Sequence, residues 1–294
     1  MGVVEVVQRR GEGLSECEVH GPGGGRLSYR CSPPPVLPKP GFHPIVTPAG
    51  SVVTGWEPSD HVWHRGLWFT FKYVNGENFW EEHPPFGVQR PSPGSPGLRV
   101  RWEAGGGVRL EHELSWCADT AGELLRETRA WVYRPVEGGL SIDLLTRLTA
   151  VRDVTLDRTP YTTWGGYGGL SLRASREMHE VDFVTPAGPV DASPGLTGQP
   201  HRWLALRGRM DGGRDRRVTM LMADHPSNLR HPSPWYAKSR DGFTFWNAAL
   251  LFHEPLSLRE GATLALKYRV WIVDGRQDDP ARWSALADGF FAEA

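Results

Sequence analysis

Cysteine and lysine are scarce in this chain. Three cysteines, Cys17, Cys31 and Cys117, are spread over 294 residues. An odd, widely spaced set argues against a disulfide framework, and no CxxC pair marks a zinc site. Only four of the 33 basic residues are lysine and the rest are arginine, a bias that GC-rich coding explains most simply. No run approaches the roughly 18 apolar residues of a membrane-spanning helix. The chain reaches Arg9 and Arg10 without the apolar core of a secretory signal. Gly2 is followed by Val6 rather than the Ser or Thr that myristoylation requires. The net charge is −1, which leaves no basic excess for nucleic acid. A cytoplasmic protein with neither nucleic-acid nor membrane partners is expected. HExxH, GxSxG and P-loop patterns are also absent, removing the simplest signatures of zincins, α/β-hydrolases and mononucleotide binders.

Glycine (35) and proline (25) are abundant but follow no G-X-Y period, so collagen is out, and 13 Trp argue against disorder. Residues 108–116 alternate apolar and polar side chains, as do 125–133 and 140–148, with glycines between them. That pattern predicts antiparallel strands joined by tight turns. Further strands are expected at 3–8, 26–31, 66–74, 169–174, 202–208, 217–223, 243–252 and 262–273. Many short strands with turn signals and no βαβ alternation indicate an all-β fold, a large antiparallel β-sandwich. We expect one domain over 1–294. A single helix is predicted over 279–292, opened by Asp279 and Pro280, with Trp283, Leu286, Ala287 and Phe290 on one face. Residues 32–40 and 83–96 are rich in proline or glycine and read as loops.

Chemistry-bearing residues concentrate in 43–83. His43, Asp60, His61, His64, Arg65, Trp68, Glu77, Trp80 and Glu81 all lie there. His61 and His64, three apart, suit either paired metal ligands or a base with its orienting partner, while two ordinary loop histidines are the bland alternative. Glu77 or Glu81 would supply a carboxylate. A second group, Asp224, His225, Arg230, Trp235 and Tyr236, follows an apolar strand and so belongs at a sheet rim. Tyr167 sits among Gly165, Gly166, Gly168 and Gly169, where the backbone approaches something closely.

These residues carry a resemblance. His43-Pro44, Thr47-Pro48-Ala49-Gly50, Asp60-His61, His64, Gly66-Leu67, Asn75-Gly76 and Phe79-Trp80 occur in order. They are followed by Gly168-Gly169-Leu170, Asp224-His225-Pro226, Asn228, Pro234-Trp235-Tyr236 and Leu266 to Arg269. Over about residues 40–275 the chain resembles the family labelled PmoA-like or DUF6807. It departs from many members in carrying Trp63 where they have a further histidine. No spanning segment supports a membrane oxygenase subunit. The resemblance implies a galactose-mutarotase-like β-supersandwich and functional coupling to a sugar oxidoreductase.

The expectation is therefore an enzyme acting on a sugar or glycoside, including keto-sugars. His/carboxylate acid–base chemistry would give epimerisation, elimination or hydrolysis, the work of an isomerase, lyase or hydrolase. His61 or His64 is the expected base and His225 the acid, with Asp224 orienting an imidazole. Glu77 or Glu81 supplies charge, and Arg65 or Arg230 stabilises an oxyanion. His43, Trp68, Trp80, Tyr167, Trp235 and Tyr236 would hold the sugar. A divalent metal on His61, His64 and His225 is the variant of this site. The alternatives are a non-catalytic carbohydrate-binding protein and a tailoring enzyme of natural-product biosynthesis.

Overall fold

The computed structural model describes residues 3–11, 13–162, 164–191, 196–213, 215–240 and 242–293. Among them, antiparallel strands build a ten-stranded sheet, an eight-stranded sheet and a small four-stranded sheet. The alternating segments form the longest strands: Gly107–Ala118, Gly122–Val136, Gly139–Ala150 and Thr263–Asp274. In the first of these Val108, Leu110, His112, Leu114 and Trp116 are buried, whereas Arg109, Glu111 and Glu113 face outward into ion pairs. His112 occupies an inward position because the Tyr29 hydroxyl, 2.7 Å away, satisfies its Nε2.

The two large sheets face each other across one core. Phe69 meets Trp116 with ring centroids 6.3 Å apart, Phe42 meets Trp131 at 5.0 Å and Phe183 meets Trp246 at 6.1 Å. Burying a side chain such as Phe69 contributes about 1.5–3 kcal/mol. The core also holds an ion pair: Arg129 and Glu127 are fully buried, and Glu127 accepts from Trp116 Nε1 and Thr146 Oγ1. The architecture is an all-β antiparallel sandwich.

The helix runs Pro280–Phe291, with the Asp279 carboxylate accepting from the Ala281 backbone N–H at 2.9 Å. Trp283, Ala287 and Phe290 pack on the ten-stranded sheet against Trp203, Leu221 and Trp271. Leu286 lies off that face and is exposed, because the buried stripe follows positions i, i+4 and i+7. Further differences concern strands, Gly41–Val46 and Arg99–Glu103 among them. Leu14–His20, Met178–Thr185 and Trp235–Arg240 lie outside the predicted set, and Val88–Pro91 is a strand inside the predicted 83–96 loop. Most of them hold at least as many polar positions as apolar ones, and pairing with neighbours overrides the weak local signal.

Candidate active site

Period-2 alternation divides the eight-stranded sheet into an inner and an outer face. Leu67 and Phe69, Leu170 and Leu172, Trp235 and Ala237, and Trp246 enter the core. Their neighbours Trp68, Tyr236 and Phe245 gather on the other side. The register sets Ser171 opposite Trp68 and Asn247, Arg173 opposite Phe245, and Tyr236 opposite Asn247. This outer face is the floor of the site.

Three loops build its walls. After Trp56 the chain makes consecutive turns: the Pro58 carbonyl accepts from His61 N–H at 2.9 Å and the His61 carbonyl from His64 N–H at 3.0 Å. The three-residue step stacks the two imidazoles, with centroids 4.7 Å apart and planes at 24°. Gly66 closes this loop at φ +69°, where any side chain would run into the Phe42 carbonyl, so glycine alone lets Leu67 enter the sheet. The second loop follows a hairpin in which Tyr73–Val74 pairs with Glu77–Asn78 around Asn75 and Gly76, both at positive φ, as a tight Asn-Gly turn requires. Asn78 Oδ1 then accepts from the backbone N–H groups of Trp80 and Glu81 at 2.8 and 3.1 Å, an Asx turn that aims both side chains at the floor. The third loop carries Tyr167. Asn247 pins it, accepting from Gly168 N–H and donating to the Leu170 carbonyl and Ser171 Oγ, each at 3.0 Å.

Together they enclose a cavity of about 250 Å³. Trp63, Trp80, Trp164, Tyr167, Tyr236, Phe243 and Phe245 supply its aromatic walls, with His61, His64 and Glu81 among them. Trp68 lies immediately beneath, 5.1 Å from the His64 ring and 5.4 Å from that of Trp80.

The titratable groups differ sharply in environment. His61 Nδ1 lies 3.0 Å from Asp60 Oδ2. Arg173 and Arg176 also donate to Asp60, at 2.8 and 2.7 Å. Burial pushes the Asp60 carboxyl up, but the hydrogen bonds from Arg173, His61 and Arg176 outweigh it and hold the group well below the usual range. An ionised carboxylate only accepts, so His61 Nδ1 carries the proton and the lone pair of the neutral ring sits on Nε2. His64 is buried, and desolvation, reinforced by His61, Arg173 and Lys39, drives its pKa well below the ordinary value. It is a neutral imidazole at physiological pH. Burial raises the Glu81 pKa, but the Lys72 ammonium against it lowers it further, so the carboxyl is ionised. Tyr167 is shifted up, by burial first and by Glu81 second, and stays a neutral phenol. Behind the site Glu82 ties together two buried cations, Lys39 and Arg65. Desolvation lowers Lys39 to about 8.

Of the residues expected from sequence, His61, His64, Trp80, Glu81, Tyr167 and Tyr236 line the cavity. Trp68 lies directly beneath them, and the others lie elsewhere. Arg65 is behind the first loop, holding Glu57, Glu82 and the Val62 carbonyl. His43 bonds Thr54 and stacks on Trp56, and burial together with Arg30 lowers it to about 4. Glu77 bonds Thr120. Trp235 faces the core, one residue out of phase with Tyr236, and donates to the His201 carbonyl at 2.7 Å. Arg230 holds the carbonyls of Leu250, Glu254 and Pro255.

Asp224 ends a strand of the other sheet, Arg217–Asp224, and His225 follows it. Asp224 accepts from Asn228, His231 and the Ser233 N–H, while His225 bonds Ser227 and the Glu293 carbonyl beside Phe290. His225 therefore faces the end of the helix, and His61, His64 and His225 do not form one donor set. Among the described residues no three His, Cys, Asp or Glu side chains are grouped to hold a metal ion.

Sequence reasoning gave Asp60 no role in the chemistry and passed over Lys72, Trp63, Trp164, Phe243, Phe245 and Asn247 as site residues. One signal was available. In a chain that uses arginine almost everywhere, Lys39 and Lys72 are both buried around this site.

No helix among the described residues is long and apolar enough to cross a membrane. No curated protein matches the chain. Solved structures that match include the galactosidase domain of alpha-galactosidase-sucrose kinase, AgaSK. It aligns at 11% identity with a TM-score of 0.47, over 92% of this chain and 42% of that one. The chain thus spans less than half the length of that relative. The profile of a family of unknown function, DUF6807, matches residues 18–288, and the chain belongs to that family.

Proposed function

We propose that the cavity at His61 binds a monosaccharide-sized sugar or glycosyl unit and that His61 removes a proton from it. The observation that carries this reading is unspent hydrogen-bonding capacity set into aromatic walls. His64 Nδ1, Trp63 Nε1 and Glu81 Oε2 are buried without a partner among the described residues, and all three residues line the cavity. Unpartnered buried polar atoms occur elsewhere among the described residues, Trp131 and Trp203 Nε1 included, but these three gather around one cavity, where a guest can satisfy them. The guest must carry donors for Glu81 and acceptors for the indole, with apolar faces for the rings. A sugar ring has all three. The volume, below the roughly 300–1,000 Å³ of drug-sized sites, suits one ring.

Asp60 holds the His61 lone pair on Nε2, the atom available for proton abstraction beside a carbonyl or at an anomeric hydroxyl. Glu81 accepts hydroxyl hydrogen bonds, and His64 supplies a neutral polar contact. A sugar oxidoreductase that oxidises a ring carbinol is the class of enzyme that would supply a carbonyl-bearing substrate. The rival reading is a sugar-binding protein without turnover, for which the seven aromatic rings alone would serve. Proton exchange separates the two. Deuterium uptake from D2O into a panel of aldoses, ketoses and keto-sugars is followed by NMR. Catalysed uptake into at least one sugar, reduced about 10²–10⁴-fold in His61→Asn, is expected. Binding without uptake would leave the rival, and uptake within tenfold of wild type in His61→Asn would remove the base.

A further inference from the structure

Glu81 is the one carboxylate lining the cavity among the described residues. Asp60 is committed to Arg173 and Arg176, and Glu82 to Lys39 and Arg65. Glycoside hydrolysis by paired carboxylates needs two such groups flanking the bond, about 5–9.5 Å apart. What accompanies His61 here is a hydroxyl. Tyr167 OH accepts from Lys72 Nζ at 2.9 Å and donates to Glu81 Oε1 at 3.2 Å, and Lys72 and Glu81 also pair directly.

This triangle stands apart from His61. The Trp80 ring neighbours both groups of rings, 4.9 Å from Tyr167 and 6.2 Å from His64. His61 stacks on His64 and leans on Phe243, 5.1 Å away, whereas Tyr167 leans on Tyr236, 5.5 Å away. Two proton-handling groups therefore line one cavity, each packed against its own ring neighbours.

We propose that Tyr167 is a second catalytic residue, and that the site inverts configuration at a carbon next to a sugar carbonyl. This rests on the reading of His61 as base. His61 Nε2 takes the proton from that carbon, and the C–H electron pair passes into the carbonyl to give an enediolate. The Tyr167 O–H delivers its proton to the opposite face of the same carbon. The new C–H bond forms as the carbonyl returns, and the phenolate left behind is met by the Lys72 ammonium. Exchange of both groups with water restores His61 and Tyr167. No oxidant or co-substrate enters the balance, and the reverse reaction starts from the phenolate and imidazolium left by the forward one, with the two groups in exchanged roles.

The test compares wild type, Tyr167→Phe and His61→Asn in D2O, starting separately from each epimer of a carbonyl sugar. Wild type is expected to give the deuterated epimer. In Tyr167→Phe, inversion falls at least about 100-fold, while deuterium washout into the epimer served by His61 stays within tenfold of wild type. In His61→Asn, washout and inversion both fall at least about 100-fold from either epimer. A purely structural role for the hydroxyl would lower washout and inversion together. Inversion within tenfold of wild type in Tyr167→Phe, or an unsaturated or hydrolysed product, overturns the inference. Exchange that needs His61 with inversion intact in Tyr167→Phe removes this inference alone. No wild-type exchange in any sugar removes the proposed function and this inference with it.

Discussion

Replacing Asp60 by Asn tests how His61 is poised. The carboxylate accepts from His61 Nδ1 at 3.0 Å and from Arg173 and Arg176. An Asn amide can offer an N–H to Nδ1. That moves the imidazole proton to Nε2 and removes the lone pair from the atom that would act as base. Sugar proton exchange should then fall by about 10²–10⁴-fold. Stability should fall as well. Arg173 is fully buried, its Nε and Nη1 have no partner among the described residues, and its charge answers to Asp60. Removing one partner of a fully buried pair costs about 3–5 kcal/mol. Asp60 is 29% exposed and the amide oxygen keeps one hydrogen bond, so a cost of about 2 kcal/mol follows, or a fall in Tm of about 4–8 °C. The depressed carboxyl also sets a pH dependence. Its stabilisation is present above the unfolded value of about 3.9 and is lost as pH falls below it, and Asp60→Asn lacks this component. The assay joins ¹⁵N NMR of the His61 ring nitrogens to thermal melts and deuterium exchange. A variant that keeps Nδ1–H and exchanges within tenfold of wild type would refute the reasoning.

His64 should show no titration between pH 5 and 8 in its ring proton shifts, because burial holds the folded group neutral. The unfolded chain takes up that proton below about pH 6.5 and the folded chain does not, so acidification weakens folding. A midpoint near 6.5 would contradict the burial argument. His225→Ala should leave sugar exchange within twofold while costing about 1–2 kcal/mol in chemical denaturation, since its ring bonds Ser227 and the Glu293 carbonyl far from the cavity. A loss of exchange beyond tenfold would return it to the chemistry. Asn247→Ala leaves Gly168 N–H and the Leu170 carbonyl without their side-chain partner. It should cost about 2–4 kcal/mol in denaturation and weaken sugar binding by displacing Tyr167. Unchanged binding would show that the loop holds itself.

Strand identity was legible where alternation is strong, as in Gly107–Ala118 and Thr263–Asp274. It was not legible in Trp235–Arg240, where one residue of phase decides that Tyr236 meets the cavity and Trp235 the core. The first histidine pair was legible because three-residue spacing in consecutive turns stacks the rings. The separation of His225 from that pair was not, since sheet assignment is a long-range property that no local pattern encodes. Asp60 lay in plain view beside His61, but its role depends on Arg173 and Arg176, more than a hundred residues away. Phe243 and Phe245 looked like ordinary strand residues, and only cross-strand register brings Phe245 beside His64.

The central claim is that a sugar occupies the aromatic cavity beside His61. Titration of monosaccharides against the indole N–H signals of the ¹⁵N-labelled protein tests it directly. The account predicts saturable shifts of the Trp63 and Trp80 signals with at least one sugar, while Trp116 and Trp131 of the inner core stay fixed. Shifts absent with every sugar, or confined to indoles away from the cavity, would contradict it.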